Sequence, residues 1–168
     1  MDGAGVALTD AGNIETSGIL IVRAAFQAFD KRDLSTLVEL TDPEVELFVP
    51  TAAIANDGRC YRGHTGIARY LRDVERVWAR LHVVPEKFRE VGNHVVCLGH
   101  TRAHGRDGIE VDSPTAWVWE LRARKLRWGC VYADPGSTFM GLSFSAEHAA
   151  GAVPQGPGDA VPAPLRTA

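Results

Sequence analysis

Apolar residues recur along the first half of the chain at the spacing of helices that bury one face. The stripe of the first predicted helix, which Thr16 or Ser17 can cap, is Ile19, Val22, Phe26 and Phe29. A second, shorter helix has Asp33 as its N-terminal cap and the stripe Leu34, Leu37 and Val38. The strongest helical pattern comes third, with apolar positions at Ile67, Tyr70, Leu71, Val74, Val77, Trp78 and Leu81. The pattern therefore predicts three helices.

The remaining apolar runs have the length of β-strands. A short one at 45–49 follows Asp42-Pro43, and an irregular segment occupies 50–59. Four longer runs come after the third helix, at 82–91, 94–105, 109–122 and 125–134. Gly92-Asn93 and Arg106-Asp107-Gly108 mark two hairpin turns between them, whereas Ala123-Arg124 is a weak turn signal. Helices followed by an antiparallel meander predict an α+β domain with a sheet packed on helices.

Length, charge and cysteine usage narrow the class of protein. A chain of 168 residues with 45% hydrophobic and 23% charged residues is typical of one soluble globular domain. The net charge of −3, with no polybasic run, predicts no nucleic-acid partner. No stretch approaches the roughly 20 apolar residues of a membrane span, and no secretory signal is visible. The three cysteines form no CxxC pair, so we expect free thiols and a cytoplasmic location.

Composition also divides the chain. Residues 1–16 are small and polar and predict a flexible leader, and residues 143–168 predict a tail rich in Ala, Gly and Pro. The folded domain is expected at 17–142.

The run from 95 to 104 carries the most distinctive chemistry. As a strand, it places Val96, Leu98, His100, Arg102 and His104 on one face and Val95, Cys97, Gly99, Thr101 and Ala103 on the other. Nitrogen-bearing side chains are costly to bury unless paired, so this face lies either in water or in a cavity that requires donors. The alternative is that Arg102 is the buried partner of Glu46 or Asp112, in a structural pair with no chemistry. No metal site is predicted, because Arg is not a ligand and no carboxylate or Cys joins the two histidines at a suitable spacing.

Three local motifs connect these elements to a known family. They are Asp42-Pro43-Glu44-Val45-Glu46 before the first strand, Tyr61-Arg62-Gly63-His64-Thr65-Gly66-Ile67 at the third helix, and Val131-Tyr132-Ala133-Asp134 in the last strand. With this order of elements the chain resembles the SnoaL-like branch of the nuclear-transport-factor-2-like superfamily. The resemblance implies a conical fold in which a strongly curved antiparallel sheet wraps on three helices around one pocket. It also implies a homodimer, and it implies no cofactor.

The resemblance further implies that two known chemistries of the superfamily are missing. Phe48 stands where ketosteroid isomerases carry their carboxylate base. Epoxide hydrolases place Tyr and Asn where this chain has Glu46 and Phe48, and an acid where it has Val131. Their Arg-x-Asp corresponds to His100-x-Arg102. This correspondence predicts that His100 and Arg102 face the pocket.

The predicted pocket combines these residues with aromatic neighbours. Its ligand-binding side chains are expected to be Thr115, Trp117, Trp119, Val131, Phe48 and Phe26. In the predicted mechanism His100 is the general acid–base, Arg102 stabilises an oxyanion and Glu46 orients the imidazole. The sequence thus favours a small-molecule enzyme that acts by acid–base chemistry on a hydrophobic carbonyl-bearing metabolite. The alternative is a non-catalytic ligand-binding or dimerising module on the same fold.

Overall fold

The computed structural model describes residues 7–9 and 13–133, and at 7–9 and 13–15 it describes only the backbone. The helices are α1 Ser17–Asp30, α2 Leu34–Leu40, α3 Thr51–Ala55 and α4 Gly63–Val77. The strands are β1 Ala7–Thr9, β2 Asn13–Glu15, β3 Thr41–Phe48, β4 Tyr61–Arg62, β5 Trp78–Val91, β6 His94–Gly105, β7 Glu110–Arg122 and β8 Lys125–Ala133. β1 and β2 pair as a hairpin within the predicted leader. The predicted tail at 143–168 lies outside the described residues.

The first two helices begin where their caps predict. Thr16 Oγ1 accepts a hydrogen bond from the Ile19 amide at 3.4 Å at the start of α1. Asp33 Oδ1 accepts one from the Thr36 amide at 3.1 Å at the start of α2. The apolar stripe of α1 is buried along its whole length.

The long helix ends earlier than its apolar pattern predicts. α4 stops at Val77, because Trp78 has extended backbone angles (φ −110°, ψ 132°) and opens β5. Leu81 is nevertheless buried, now as a strand residue. A helical and an extended segment can bury the same few apolar positions, so periodicity alone did not locate this boundary. No helix in the described part of the chain is long and apolar enough to span a membrane.

Six strands form one mixed sheet in the order β4-β3-β8-β7-β6-β5. The meander from β5 to β8 is antiparallel, as predicted, while β3 pairs with β8 in parallel. The predicted α+β class is therefore confirmed. The weak turn signal at Ala123-Arg124 has a local explanation, since both residues adopt positive φ (50° and 62°) although neither is glycine.

A bulge in β5 helps to curve the sheet. The pairing register with β6 shifts between Pro85 and Lys87, opposite Gly99. A Cβ atom on Gly99 would lie 2.1 Å from the Val84 carbonyl oxygen, so only glycine allows this approach. The two strands can therefore bend toward the helices at this point.

The sheet buries apolar side chains on both of its faces. The inner face, which packs on the helices, includes Val45, Leu47, Val95, Cys97 and Trp117. A second cluster occupies the opposite, outer face and consists of Val96, Ala116, Val118, Trp128, Cys130 and Tyr132. We call these six residues the outer-face cluster.

Candidate functional site: an apolar interior cavity

A cavity lies between the inner face of the sheet and the helices. The volume of the cavity is about 60 Å³. Its lining is almost entirely apolar and consists of Ala25, Phe26, Phe29, Leu37, Thr41, Leu47, Val49, Ile67, Tyr70, Val83, Trp117, Trp119, Leu126 and Val131. Small-molecule sites commonly have such a predominantly apolar and aromatic lining.

Four of the nine predicted site residues line this cavity: Phe26, Trp117, Trp119 and Val131. The Phe26 ring meets the Trp117 ring edge-on at 5.4 Å and the Trp119 ring at 6.3 Å, between centroids. A Cβ atom on Gly129 would lie 2.4 Å from the Trp119 ring, so this glycine makes room for the indole. The aromatic wall predicted from the sequence is therefore present.

The cavity has few polar groups. Thr41 Oγ1 donates a 2.7 Å hydrogen bond to the Leu37 carbonyl oxygen. Tyr70 stacks on Phe29, with ring centroids 5.6 Å apart, and its hydroxyl makes no hydrogen bond to any described residue. Burial raises the pKa of Tyr70, although Arg32 opposes the shift, so the phenol stays protonated at neutral pH. The buried Trp119 Nε1 also lacks a partner in the described structure.

Sequence reasoning counted Tyr70 only as a helix core position and missed Arg23. Arg23 is half-buried on α1, and its guanidinium carbon lies 4.2 Å from the centroid of the Phe88 ring. The spacing offered a signal, because Arg23 follows Ile19 by four residues and precedes Phe26 by three, on the buried stripe. This is a cation on the inner side of the sheet.

His100 and Arg102 do not face the cavity, so the prediction that they do is wrong. Their side chains lie on the outer side of β6 and are 37% and 63% exposed. His100 Nδ1 lies 2.8 Å from Asp112 Oδ1, and Arg102 Nε donates to Asp112 Oδ2 at 3.3 Å. The hydrogen bond with His100, more than the charge of Arg102, holds the pKa of Asp112 below its usual value. Arg102 and Asp112 do pair, as the alternative predicts, but their side chains are 63% and 56% exposed, so the pair is not the buried one that was expected.

The hairpin register explains this orientation. β6 and β7 pair Arg102 with Asp112 and His104 with Glu110, whereas Trp117 pairs with Cys97. Directly paired residues point to the same side of a sheet, and their neighbours at odd spacing point to the other. An inward Trp117 therefore requires an inward Cys97 and an outward Arg102. The turn at 106–108 fixes which residues of β6 and β7 pair, whereas the packing of Trp117 against α1 decides which side faces inward.

Glu46 and Phe48 also point away from the cavity, which contradicts their predicted place in it. The inner positions of β3 are Val45 and Leu47. Glu46 Oε1 lies 3.9 Å from Arg62 Nε, and Phe48 packs on Trp128 of the outer-face cluster, with ring centroids 5.9 Å apart.

Thr115 shares the inner side with Trp117 but is not part of the cavity lining. Its hydroxyl lies 3.0 Å from Thr101 Oγ1 and 2.9 Å from the Ser113 carbonyl oxygen, so these bonds account for its burial. Within the described residues no three His, Cys, Asp or Glu side chains are grouped so that they could hold a metal ion.

Comparisons with known proteins agree on the fold. The family model of the SnoaL-like domain matches residues 22–128. An NTF2-like protein of unknown function from Burkholderia pseudomallei is similar in structure, with a TM-score of 0.66 at 22% identity over 75% of this chain and 97% of its own. TerC, co-crystallized with polyporic acid, has a TM-score of 0.65 at 24% identity over 76% of this chain and 98% of its own.

IdmH, a proposed polyketide cyclase from Streptomyces antibioticus, has a TM-score of 0.59 at 16% identity over 70% of this chain and 91% of its own. No curated protein matches the chain. At such identities the structural likeness shows the fold alone. The family match, however, covers most of the chain and every residue that lines the cavity except Val131. The chain belongs to the SnoaL-like domain family.

Proposed function

We propose that this protein binds a compact, mostly apolar small molecule in the interior cavity and hydrogen-bonds its carbonyl oxygen through Tyr70. One observation carries the proposal: an aromatic cavity whose lining includes a protonated phenol with no hydrogen-bond partner among the described residues. Because this hydroxyl is not engaged in a hydrogen bond with a described residue, it can donate to a ligand acceptor without breaking an existing bond. Trp119 Nε1 offers a second donor if its ring shifts to reach the ligand.

The charges around the cavity favour a neutral or weakly polarised ligand. The lining contains no carboxylate, imidazole, ammonium or guanidinium group. An ionised ligand would lose its hydration without gaining an opposite charge in contact. A flat ring system with one carbonyl or enol oxygen matches the aromatic wall formed by Phe26, Trp117 and Trp119.

Catalysis on the same ligand is a second candidate function, favoured by Tyr70 and by the family. A phenol donor can stabilise negative charge that develops on a carbonyl oxygen. The cavity lining supplies no general base, so the proposed chemistry is cyclase- or isomerase-type, in which the site orients the substrate and polarises its carbonyl. His100, Arg102 and Glu46 have no part in it, because they lie on the other side of the sheet.

A matched pair of tyrosine variants tests the binding proposal. Tyr70→Phe removes the cavity hydroxyl, whereas Tyr61→Phe removes a hydroxyl that donates to Asp73 at 2.8 Å. Calorimetric titration with cyclic and aromatic ketones identified by thermal shift should show a loss of about 3–10-fold in affinity for Tyr70→Phe, the value of about one hydrogen bond. Tyr61→Phe should lower stability and leave affinity unchanged. Equal affinities for wild type and Tyr70→Phe would refute the role of Tyr70.

Turnover is tested separately. If the site polarises the carbonyl of a bound ketone, solvent water can take the proton from the adjacent carbon, and deuterium uptake there, followed by NMR, should be faster with wild type than with Tyr70→Phe. Binding without any acceleration over buffer would leave a ligand-binding module, the non-catalytic alternative. A homodimer and a cytoplasmic location stay predictions, to be tested by light scattering and by fractionation.

A further inference from the structure

Arg32 occupies a backbone position that usually belongs to glycine. α1 ends in a Schellman motif, in which the Asp33 amide donates to the Ala28 carbonyl oxygen at 2.8 Å. The second bond of the motif runs from the Arg32 amide to the Phe29 carbonyl oxygen at 3.0 Å. The motif requires positive φ at this residue, and Arg32 has a φ of 56°. Glycine adopts such an angle without strain, whereas arginine does not, so the turn itself does not explain the arginine side chain.

The guanidinium group of Arg32 is fixed beside the wall of the cavity. Its carbon atom lies 4.5 Å from the centroid of the Phe29 ring, and the same ring stacks on Tyr70. Nη1 donates to the Phe29 carbonyl oxygen at 2.5 Å, and Nη2 donates to the Leu81 carbonyl oxygen at 3.1 Å. The second bond joins the end of α1 to β5. The cation is therefore held in one place, next to a ring that lines the cavity.

The charge of Arg32 is not neutralised by a carboxylate of the described residues. Both of its hydrogen-bond partners are carbonyl oxygens, and it forms no ion pair in the described part of the chain. The cavity lining is almost entirely apolar, and such a medium screens a charge less than water does. The charge also acts on Tyr70, because Arg32 opposes the rise that burial causes in the pKa of the phenol. The Tyr70 hydroxyl therefore lies in the positive field of Arg32.

We propose that Arg32 is a positioning residue of the cavity, whose charge stabilises negative charge on the ligand oxygen that accepts the Tyr70 hydrogen bond. The inference rests on the proposed function, since it concerns the same bound oxygen. Arg32 is not part of the cavity lining, so it acts across Phe29 and not by contact with the ligand. Its effect therefore grows with the charge on that oxygen, from a carbonyl to an enolate.

This arrangement joins an uncharged lining to polar chemistry. A neutral ring enters the cavity without the cost of removing a charged group from water. Once it is bound, the cation behind Phe29 favours the shift of electrons toward the carbonyl oxygen. Among neutral ligands of equal size, the site should thus prefer the one with the more polar carbonyl group.

Four variants separate the charge of Arg32 from its place in the turn. Arg32→Gly suits the positive φ and removes the guanidinium. Arg32→Gln removes the charge but keeps a polar side chain, and Arg32→Lys keeps the charge without the planar fork. Arg72→Gln is the matched control. Arg72 is exposed on α4, two residues after Tyr70, and its side chain has no partner among the described residues.

The probe is cyclopentanone, whose C=O stretching band lies clear of the absorption of the protein amides. Infrared difference spectra of the bound ketone measure how far the site polarises the carbonyl, which a change in the stability of the turn does not alter. We expect the band to move to higher frequency in Arg32→Gly and Arg32→Gln, in the same direction as in Tyr70→Phe but by less. In Arg32→Lys and Arg72→Gln it should stay close to the wild-type position.

Affinity and deuterium uptake provide a second comparison. Calorimetric affinity for the neutral ketone should fall by no more than about twofold in Arg32→Gly, because a carbonyl oxygen carries only a partial charge. Deuterium uptake next to the carbonyl should fall by about tenfold, because an enolate oxygen carries a full charge. In the Tyr70→Phe background, Arg32→Gly should move the infrared band less than it does in wild type, since the oxygen is no longer held in place.

The outcomes separate this inference from the proposed function. If Tyr70→Phe moves the band but Arg32→Gly does not, Arg32 has only a structural role and the inference fails alone. Equal shifts in Arg32→Gly and Arg72→Gln, or a full shift in Arg32→Lys, would also overturn it. No binding of cyclopentanone, or no shift in Tyr70→Phe, would refute the proposed function together with the inference. If Arg32→Gln does not fold, Arg32→Gly decides, and if wild type shows no uptake, the band decides.

Discussion

The two faces of the sheet are built from the same strands and differ in where their charges lie. Both bury apolar side chains near the middle of β6, β7 and β8. On the outer face the apolar cluster gives way to contacts between histidines of β6 and carboxylates of β7: His94 with Glu120 at 3.9 Å, His100 with Asp112 at 2.8 Å and His104 with Glu110 at 3.4 Å. The inner face instead carries the aromatic wall of the cavity. Charge, and not hydrophobicity, distinguishes the two faces.

This difference indicates that the charged residues of the outer face serve folding, whereas the residues of the cavity serve binding. The cross-strand pairs use the basic residues of β6 to match the acidic residues of β7, which fixes the register of that hairpin. They lie away from the cavity and cannot reach a ligand inside it. The cavity retains only weakly polar groups, namely a phenol, an indole and a hydroxyl. Binding by this protein is therefore expected to depend on shape and one or two hydrogen bonds.

The strongest test of the comparison removes one tryptophan from each face. Trp117→Ala is expected to cost about 3–5 kcal/mol of unfolding free energy, because a buried ring in contact with Phe26 is lost. Urea unfolding measures it. Trp128→Ala should cost a similar amount, because its ring is 6% exposed and packs on Phe48. A cost below about 1 kcal/mol for either variant would mean that its ring is not packed in the folded chain.

Alkaline pH tests the burial of both faces with one thiol on each. Burial raises the pKa of Cys97 to about 12 and that of Cys130 to about 11, from 9.0. A raised folded-state pKa gives stability that is complete below the unfolded value and decreases as pH rises through the folded value. From pH 9 to 10.5, wild type should lose roughly 2–3 kcal/mol more than Cys97→Ala/Cys130→Ala, as measured by urea unfolding at each pH. Parallel curves would mean that the thiols are not buried.

The smallest effect is expected from the residue that the sequence placed at the catalytic centre. His100→Ala should leave ligand affinity and any turnover unchanged within about twofold, since the imidazole lies on the outer face. The pKa of Asp112 should rise toward its usual value, because the hydrogen bond from His100 is the largest cause of its depression. NMR titration of Asp112 and calorimetry check the two parts. A tenfold loss of ligand affinity in His100→Ala would mean that His100 belongs to the binding site.

Much of the fold was predictable, because local rules fix it. The caps at Thr16 and Asp33 lie where the sequence predicts them. The turns Gly92-Asn93 and Arg106-Asp107-Gly108 fall between paired strands. The boundary at Trp78 was not predictable from the pattern, since one apolar stripe suits the end of a helix and the start of a strand.

About half of the candidate site was predictable, and the division follows the strands. On β7 and β8 the large side chains Trp117, Trp119 and Val131 occupy the inner side, as expected. On β3 and β6 the residues that were predicted to face the cavity lie on the outer side of the sheet. Tyr70 was recognised as a buried position, but its free hydroxyl depends on which neighbours α4 meets in the folded chain.

The sequence by itself determined the elements, the family and the two sets of alternating residues on each strand. Only the tertiary structure decided which set of β6 faces inward. Alternation assigns residues to two sides but does not say which side is the core when both begin with apolar residues, as Val95 and Val96 do. Pairing across the 106–108 turn joins Arg102 to Asp112 and Cys97 to Trp117. Once the aromatic ring is buried against α1, the basic residues must lie on the opposite side of the sheet.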